Sequence, residues 1–351
     1  MCLLLVLFKN YKTLLNSVLL LFISIFTFGQ KDSASITKFR NNLIVYNDIG
    51  FNTAPFNIST RFNKQTISAK YRNNIHDFYG IGCNYKIFSV RVGVQIPGSV
   101  KSLKNYGNSK FFHLGFDFSF RKLFFDVDFY QYRGFAFVDA YKFDSLNITN
   151  VNSNIIYDRL TSNSLSVNMW YFHKKNFTMS ALRGKTAVFN SLSYTWYLKS
   201  SINSFGLINT NNPILPNFLI DSTNKITYTN QIKAFDVGLI PGFAFAYVKN
   251  NWNFSILSGY GLVIQNKRYR EKLAFSKLLG FAPRFDIRVL GGYNTPKWFL
   301  MLHTDFDNKS IQYTNFKYSQ TYFNIRLVAG YRFGEEVMGD KKFYFNKKQI
   351  F

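Results

Sequence analysis

The sequence predicts an all-β fold, a transmembrane antiparallel up-and-down β-barrel of about twelve strands, with fourteen as the other possible even count. Three observations carry that prediction. Segments of about ten residues alternate strictly between apolar and polar positions, the pattern of strands with two unlike faces. The apolar face is aromatic, with 41 Phe and 23 Tyr in 351 residues, while the opposite face is rich in Gly, Ser, Asn and Thr. Charged residues make up only 17%, too few for the densely charged outer face of a soluble sandwich. An apolar outside, a polar inside and turns between short segments describe a barrel in lipid, and closure follows because hydrocarbon offers no water to an open strand edge.

The elements follow in order. Residues 1–29 carry Lys9 and Lys12, then an apolar stretch from Leu14 to Phe28, then Thr27-Phe28-Gly29 before Gln30. That is the pattern of a signal peptide cut before Gln30. Residues 30–351 then form the barrel, ending in a basic tail at 334–351 with Lys341, Lys342, Lys347 and Lys348. In 111–120 one face holds Phe112, Leu114, Phe116, Phe118 and Phe120, and the other His113, Gly115, Asp117 and Ser119. Only Arg121-Lys122 separates this run from the next, which sets Leu123, Phe125, Val127 and Phe129 against Asp126 and Asp128, so the two form a tight hairpin. Later runs set Val90, Val92 and Val94 against Arg91, Phe254, Ile256 and Tyr260 against Asn253 and Ser255, and Ile325, Leu327 and Tyr331 against Asn324, Arg326 and Arg332. The closing Gly330-Tyr331-Arg332-Phe333 has the aromatic end expected of a signal to the barrel-assembly machinery.

Fifteen segments qualify as strands, including 41–48, 56–62, 65–72, 164–173, 176–183 and 187–199, although such barrels take even counts. Counting back from a periplasmic C-terminus puts loops 200–232, 266–282 and 308–319 outside. The same count puts the 134–163 connection in the periplasm, against the rule of short periplasmic turns. Either a strand starts near Asn154–Leu160 or one has been split around 174–186. Tyr71, Trp170, Trp196, Trp252 and Trp298 are the expected interfacial aromatics.

Several motifs resemble a known family. Tyr71-Arg72-Asn73-Asn74, Gly80-Ile81-Gly82, Tyr106-Gly107-Asn108-Ser109-Lys110, Tyr130 to Phe135 and Gly238 to Phe243 occur in order. Together they are similar to the Bacteroidetes-type outer-membrane barrel family described as domain of unknown function four-four-two-one. The resemblance covers most of the chain after residue 30 and implies an outer-membrane barrel without a known reaction. Asn73 stands where that pattern favours proline. Arg183-Gly184-Lys185-Thr186-Ala187 replaces a longer stretch, so any activity carried there is in doubt.

No GxSxG, HExxH, CxxC or phosphate-binding glycine loop occurs, and no cofactor or metal site is expected. Of His76, His113, His173 and His303, only His303 has a carboxylate, Asp305, two positions away on its face; these are the catalytic candidates, and no serine joins them. Cys83 falls on the lipid face. The lumen is expected to hold Lys70, Arg72, Lys86, Arg91, Asp117, Asp126, Asp128, Asp236, Asp286, Arg288, His303, Asp305, Arg326 and Arg332, paired with one another because unpaired charge in a low-dielectric interior is costly. Lys+Arg outnumber Asp+Glu 43 to 18, for a net charge of +25. In an exported barrel this surplus points to outer-membrane lipid and lipopolysaccharide phosphates rather than nucleic acid, with Lys267-Arg268-Tyr269-Arg270 the densest run. The expected role is structural or binding at the Gram-negative cell envelope, or passage of a small solute. The alternative class is an outer-membrane enzyme acting on lipid or lipopolysaccharide.

Overall fold

The computed structural model describes residues 36–62, 65–74, 76–98, 102–120, 122–139, 154–210, 212–271 and 274–334. The leader and the tail beyond residue 334 lie outside them. The strands are β1 (Ile36–Lys38), β2 (Leu43–Thr53), β3 (Phe56–Phe62), β4 (Gln65–Arg72), β5 (His76–Tyr85), β6 (Phe88–Gln95), β7 (Lys110–Ser119), β8 (Leu123–Val138), β9 (Ile155–Phe172), β10 (Ala187–Phe189), β11 (Ser193–Ile208), β12 (Gln231–Lys249), β13 (Trp252–Glu271), β14 (Ala274–Asn294), β15 (Trp298–Tyr313) and β16 (Phe316–Phe333). Twelve of them close into a ring, in the order β2, β5, β6, β7, β8, β9, β11, β12, β13, β14, β15, β16 and back to β2. Every pairing is antiparallel, and the seam joins Phe323–Phe333 of β16 to Leu43–Thr53 of β2. The fold is a transmembrane β-barrel of twelve strands.

Alternation sorts the side chains as expected. Leu239, Phe243, Tyr260, Leu262, Phe281, Val94 and Ile81 stand exposed on the outer wall, and Asp126, Arg284, Asp286 and His303 are buried inside. Cys83 is exposed on the outer wall. Connections at one end are short: 86–87, 120–122, 250–251 and 295–297. This is the turn end, and Trp252 and Trp298 lie exposed on the outer wall there. Tyr71 and Trp170, also expected among the interfacial aromatics, are fully buried instead.

The barrel narrows toward its other, long end. Residues Phe316–Gln320 of β16 leave β2 and pair with β3. Ala136–Val138 of β8 leave β7 and pair with β4. The β3–β4 hairpin therefore bridges β16 and β8 above the short strands β2, β5, β6 and β7, so ten strands continue to the long end, where β14 and β15 no longer pair because their ladder covers only Ile287–Asn294 and Phe299–Phe306. The switch in β8 takes place at a bulge between Arg133 and Phe135, where Gly134 has φ 88°. Removing this hairpin from the fifteen sequence segments accounts for two of the three in excess. The third, 176–183, belongs to the inward-folded connection and holds the helix Met179–Arg183, and because β9 starts at Ile155, both Val138 and Ile155 lie at the long end and the parity conflict disappears. Segments 266–282 and 308–319, expected as loops, are continuations of β13–β14 and β15–β16, because their alternation continues past the apolar band.

Both ends of the interior are filled. At the long end, Phe56, Ile58, Ala69, Tyr71, Phe135 and Phe137 point inward and meet Ile214, Leu215 and Leu219 of the 209–230 connection. Tyr71 stacks on Phe56 at 4.5 Å and donates its hydroxyl to the Ile214 carbonyl at 2.7 Å. At the turn end, the 173–192 connection folds back inside as a plug. Its short helix Met179–Arg183 starts at Thr178, whose hydroxyl accepts from the Ala181 N–H, and stops at Gly184 in the left-handed conformation. Phe177, Met179 and Leu182 pack against Phe124, Trp170 and Phe172 of the wall. β10 of the plug pairs with β1.

A Cβ at Gly134 would lie 2.5 Å from the Asn108 carbonyl oxygen, on top of the positive φ, whereas one at Gly291 would meet nothing closer than 3.5 Å. Gly134→Ala is therefore expected to lower the unfolding free energy in detergent by about 2–3 kcal/mol, and Gly291→Ala to change it by less than about 1 kcal/mol. Denaturant titration followed by tryptophan fluorescence measures both.

Candidate functional site

Between the two plugs the interior is lined by charge. Arg288 of β14 is central: its guanidinium lies 3.7 Å from Asp126, 3.5 Å from Asp286 and 3.5 Å from Asp305, and its face covers Trp170. Asp286 also accepts from Lys199 at 3.1 Å, the Trp170 indole at 3.2 Å and the Tyr197 hydroxyl at 3.1 Å. Asp305 accepts from Arg326 at 3.2 Å. Arg183, carried in by the plug helix, reaches Asp117 at 2.7 Å and Asp126 at 3.4 Å. Across the lumen Arg91 makes a two-pronged pair with Asp48 at 2.6 and 2.7 Å. Toward the long end Arg284 pairs with Asp236, which also accepts from Asn203 at 2.7 Å. Lys309 donates to Ser164 and Ser166.

The wall is shaped to allow this. Tyr197 of β11 crosses two strands to reach Asp286, and the intervening positions of β12 and β13 are Gly242 and Gly259. A Cβ on either would come within 2.6 Å of the tyrosine ring or hydroxyl. The "GLIPGF" stretch is therefore a wall thinned for a tyrosine.

Around the central cavity the charges match in number, with the inward Lys267 and Arg332 lying outside this set on backbone carbonyls. Arg91, Arg183, Lys185, Lys199, Arg284, Arg288, Lys309 and Arg326 face Asp48, Asp117, Asp126, Asp128, Asp236, Asp286, Asp305 and Asp307, eight against eight. The chain's surplus of +25 therefore lies elsewhere. Among these groups remains a cavity of about 100 Å³, large enough to hold water. The Tyr46 hydroxyl, Asn52 Nδ2, Arg326 Nε and both amide atoms of Asn324 border it without a protein partner among the described residues.

The histidines are committed to structure. His113 Nδ1 accepts from Arg91, which leaves Nε2–H to donate to Asp128 at 2.8 Å, and the ring stacks on Tyr130. Neither nitrogen is free to take a proton from a nucleophile. His303 does share the interior with Asp305, but its Nε2 donates to the Arg183 carbonyl at 3.2 Å while Asp305 binds the arginines. No hydrogen bond joins the candidate pair among the described residues. No group of three or more His, Cys, Asp or Glu with metal-binding geometry occurs among the described residues.

The family model described as "Domain of unknown function (DUF4421)" matches residues 30–333. The chain belongs to this family. No curated protein matches the sequence. Among solved structures, the translocator domain of the autotransporter NalP from Neisseria meningitidis is similar at 9% identity and TM-score 0.37, covering 83% of this chain and 88% of that one. The toluene transporter TodX of P. putida is similar at 9% identity and TM-score 0.29, over 83% and 90%. A loop-deletion mutant of OmpT, an outer membrane protein of Vibrio cholerae, is similar at 9% and TM-score 0.30, over 86% and 100%.

Three of the stretches singled out in the sequence, Tyr71 to Asn74, Tyr106 to Lys110 and Tyr130 to Phe135, meet at the junction where twelve strands become ten. Asn73 Oδ1 accepts from the Ala54 N–H and the Thr53 hydroxyl. The Asn74 N–H donates to Ser109 at 2.7 Å, its side-chain amide to the Gly107 carbonyl at 2.9 Å, and Ser109 donates on to the Gly134 carbonyl at 2.8 Å. Tyr132 donates to Asn52 at 2.6 Å. These polar residues satisfy the backbone groups that the strand switch leaves unpaired.

Of the fourteen residues expected in the lumen, Arg91, Asp117, Asp126, Asp128, Asp236, Asp286, Arg288, His303, Asp305 and Arg326 line it. Lys70 and Arg72 do not. They lie on the hairpin face opposite the inward Ala69 and Tyr71, where Lys70 approaches Asp139 at 3.6 Å and Arg72 bonds Asn57. Lys86 is in the β5–β6 turn with φ 53°, covering Tyr85. Arg332 is buried but binds carbonyls of the plug, Gly184 at 2.7 Å and Lys185 at 2.9 Å, rather than a carboxylate. Lys199, Arg183, Lys185, Arg284, Lys309 and Asp48 were not anticipated. Alternation through Tyr197, Lys199, Ser201 and Asn203 exposes Lys199 once β11 is placed at Ser193–Ile208. Arg183 and Lys185 sit on a plug that no periodicity announces.

Arg284→Met strands the Asp236 charge and is expected to cost about 3–5 kcal/mol of stability, while Arg284→Met with Asp236→Leu recovers most of the loss. Denaturant midpoints of the three proteins test this.

Proposed function

We propose that the chain is an outer-membrane barrel of the Gram-negative envelope with a closed lumen, acting as a structural or binding component rather than an open pore. The signal peptide at 1–29, the assembly machinery as inserting partner and a Bacteroidetes-type source belong to the same reading, supported by the leader pattern, the aromatic-ended β16 and the ordered motifs. The observation that carries it is the filled interior: an apolar core at the long end, the plug at the turn end, and between them eight cations matched in number by eight carboxylates around about 100 Å³ of space. A permanent conduit needs a continuous polar path, and ions need unneutralised sites to enter. Passage of a small solute would require the 173–192 plug to leave, against the pairs of Arg183 and the carbonyl bonds of Arg332. An enzymatic role on lipid is disfavoured because His113 and His303 are held by Arg91, Asp128 and the plug.

In planar bilayers the purified barrel is expected to be silent, and a chain lacking residues 174–191 to show current steps. Stepwise currents from the intact protein would overturn the closed lumen. His303→Ala is expected to leave lipid turnover at background, as in the unaltered chain; turnover by the intact protein that disappears with this change would establish the enzyme instead.

A further inference from the structure

The basic run that the sequence singles out is not a loop but part of β13, and the strand divides its cations between two faces. Lys267 turns inward and donates to the Gln312 carbonyl at 2.8 Å. Arg268 turns outward and is exposed. Its direct cross-strand partner on β12 is Lys233, also outward and exposed, and the residue in register with it on β14 is a further lysine, Lys277. Like charges directly opposite on a sheet repel, and among the described residues neither has an ion pair or a side-chain hydrogen bond. The pair sits at the upper margin of the apolar outer wall. The outward residues below it are Phe235, then Val237 beside Ile264, with Leu279 and Phe281 of β14 alongside, each 74% exposed.

We infer that Lys233 and Arg268 clamp the phosphate of a membrane lipid in the leaflet at the long end, its acyl chains lying on Phe235, Ile264 and Phe281. The charge selects among headgroups. A phosphate monoester carries about −1.5 to −2 at neutral pH and neutralises two cations, whereas a phosphodiester headgroup carries a single negative charge and leaves one cation unmatched. The site therefore takes a lipid with a monoester phosphate, as on a phosphorylated glycolipid. Arg supplies a planar fork and Lys a point charge to its oxygens. This assignment deepens the envelope-binding reading and requires a barrel in lipid, but not a closed lumen; conductance and lipid retention fail independently.

Native mass spectrometry of the refolded full chain in detergent, titrated with lipid A, tests it. A one-to-one adduct is expected, weakened about fivefold by Lys233→Gln or Arg268→Gln and about thirtyfold by both. Lys317→Gln, an outward cation on β16, should leave it unchanged. The exchange Lys233→Arg with Arg268→Lys keeps both charges and should keep the adduct, which preserves the test if the double glutamine variant does not fold. Equal retention by the unaltered and neutralised proteins would overturn the site. Equal retention of phosphatidylglycerol would overturn the monoester assignment, and displacement of lipid A by excess inorganic phosphate would overturn the lipid.

Discussion

Hydrocarbon supplies no hydrogen-bond partner, so every backbone N–H and C=O in the wall must find one in another strand. That constraint governs this molecule most visibly in β16, which serves β2 along its lower part and β3 along its upper part. β8 does the same with β7 and β4. Two strands that change partners let four short strands stop early on that side of the ring, while between β14 and β15, unpaired above Ile287 and Phe306, the side chains of Arg284, Gln265 and Lys267 donate to the carbonyls of Asn308, Ser310 and Gln312. The taper from twelve strands to ten follows, and with it the narrow upper chamber that aromatic side chains can fill without a channel.

Once closed, the interior has to be filled, and the two solutions differ by height. Near the long end the filling is apolar, built from Phe56, Tyr71, Phe135 and the 209–230 connection. At mid-height it is ionic. Ions removed from water need partners of opposite sign and good geometry, and the lumen meets this by pairing across strands: β6 with β2, β14 with β8 and β15, β16 with β15. The plug takes part in the same scheme, since Arg183 matches two wall aspartates while wall groups Arg332, His303 and Asn294 hold the backbone at Arg183 to Lys185. Plug and wall complete one another electrically, as a mobile stopper with its own neutral surface would not.

The wall was legible because a strand in lipid is written with period two: the faces of β6, β7, β8, β13 and β16 follow from residue spacing alone. Interior charges on those strands, Asp126, Asp286 and Arg288 among them, came with it. What alternation could not separate was a spanning strand from one that only bridges: β3 and β4 alternate as well as any other, which misplaced Lys70 and Arg72. Nor does periodicity distinguish a wall residue from one on a segment folded back inside, so 176–183 resembled a strand and Arg183 and Lys185 went unassigned. Tyr71 and Trp170 were taken for interfacial aromatics because composition does not say which way a ring points. Their buried hydroxyl and indole groups have partners, Ile214 and Asp286, that lie more than a hundred residues away.

The hairpin β3–β4 also orders events in time. Its outer partner is the last strand of the barrel, and Gln320 of β16 bonds the Ala54 carbonyl across 266 positions of sequence. Until β16 is delivered, the edge of β3 has nothing to pair with, although it was synthesised near the beginning. Contacts so distant along the chain form slowly, and an unpaired strand edge is an invitation to foreign partners. Closing the ring is thus the step that protects this flank, since β3 gains its outer partner only when β16 docks.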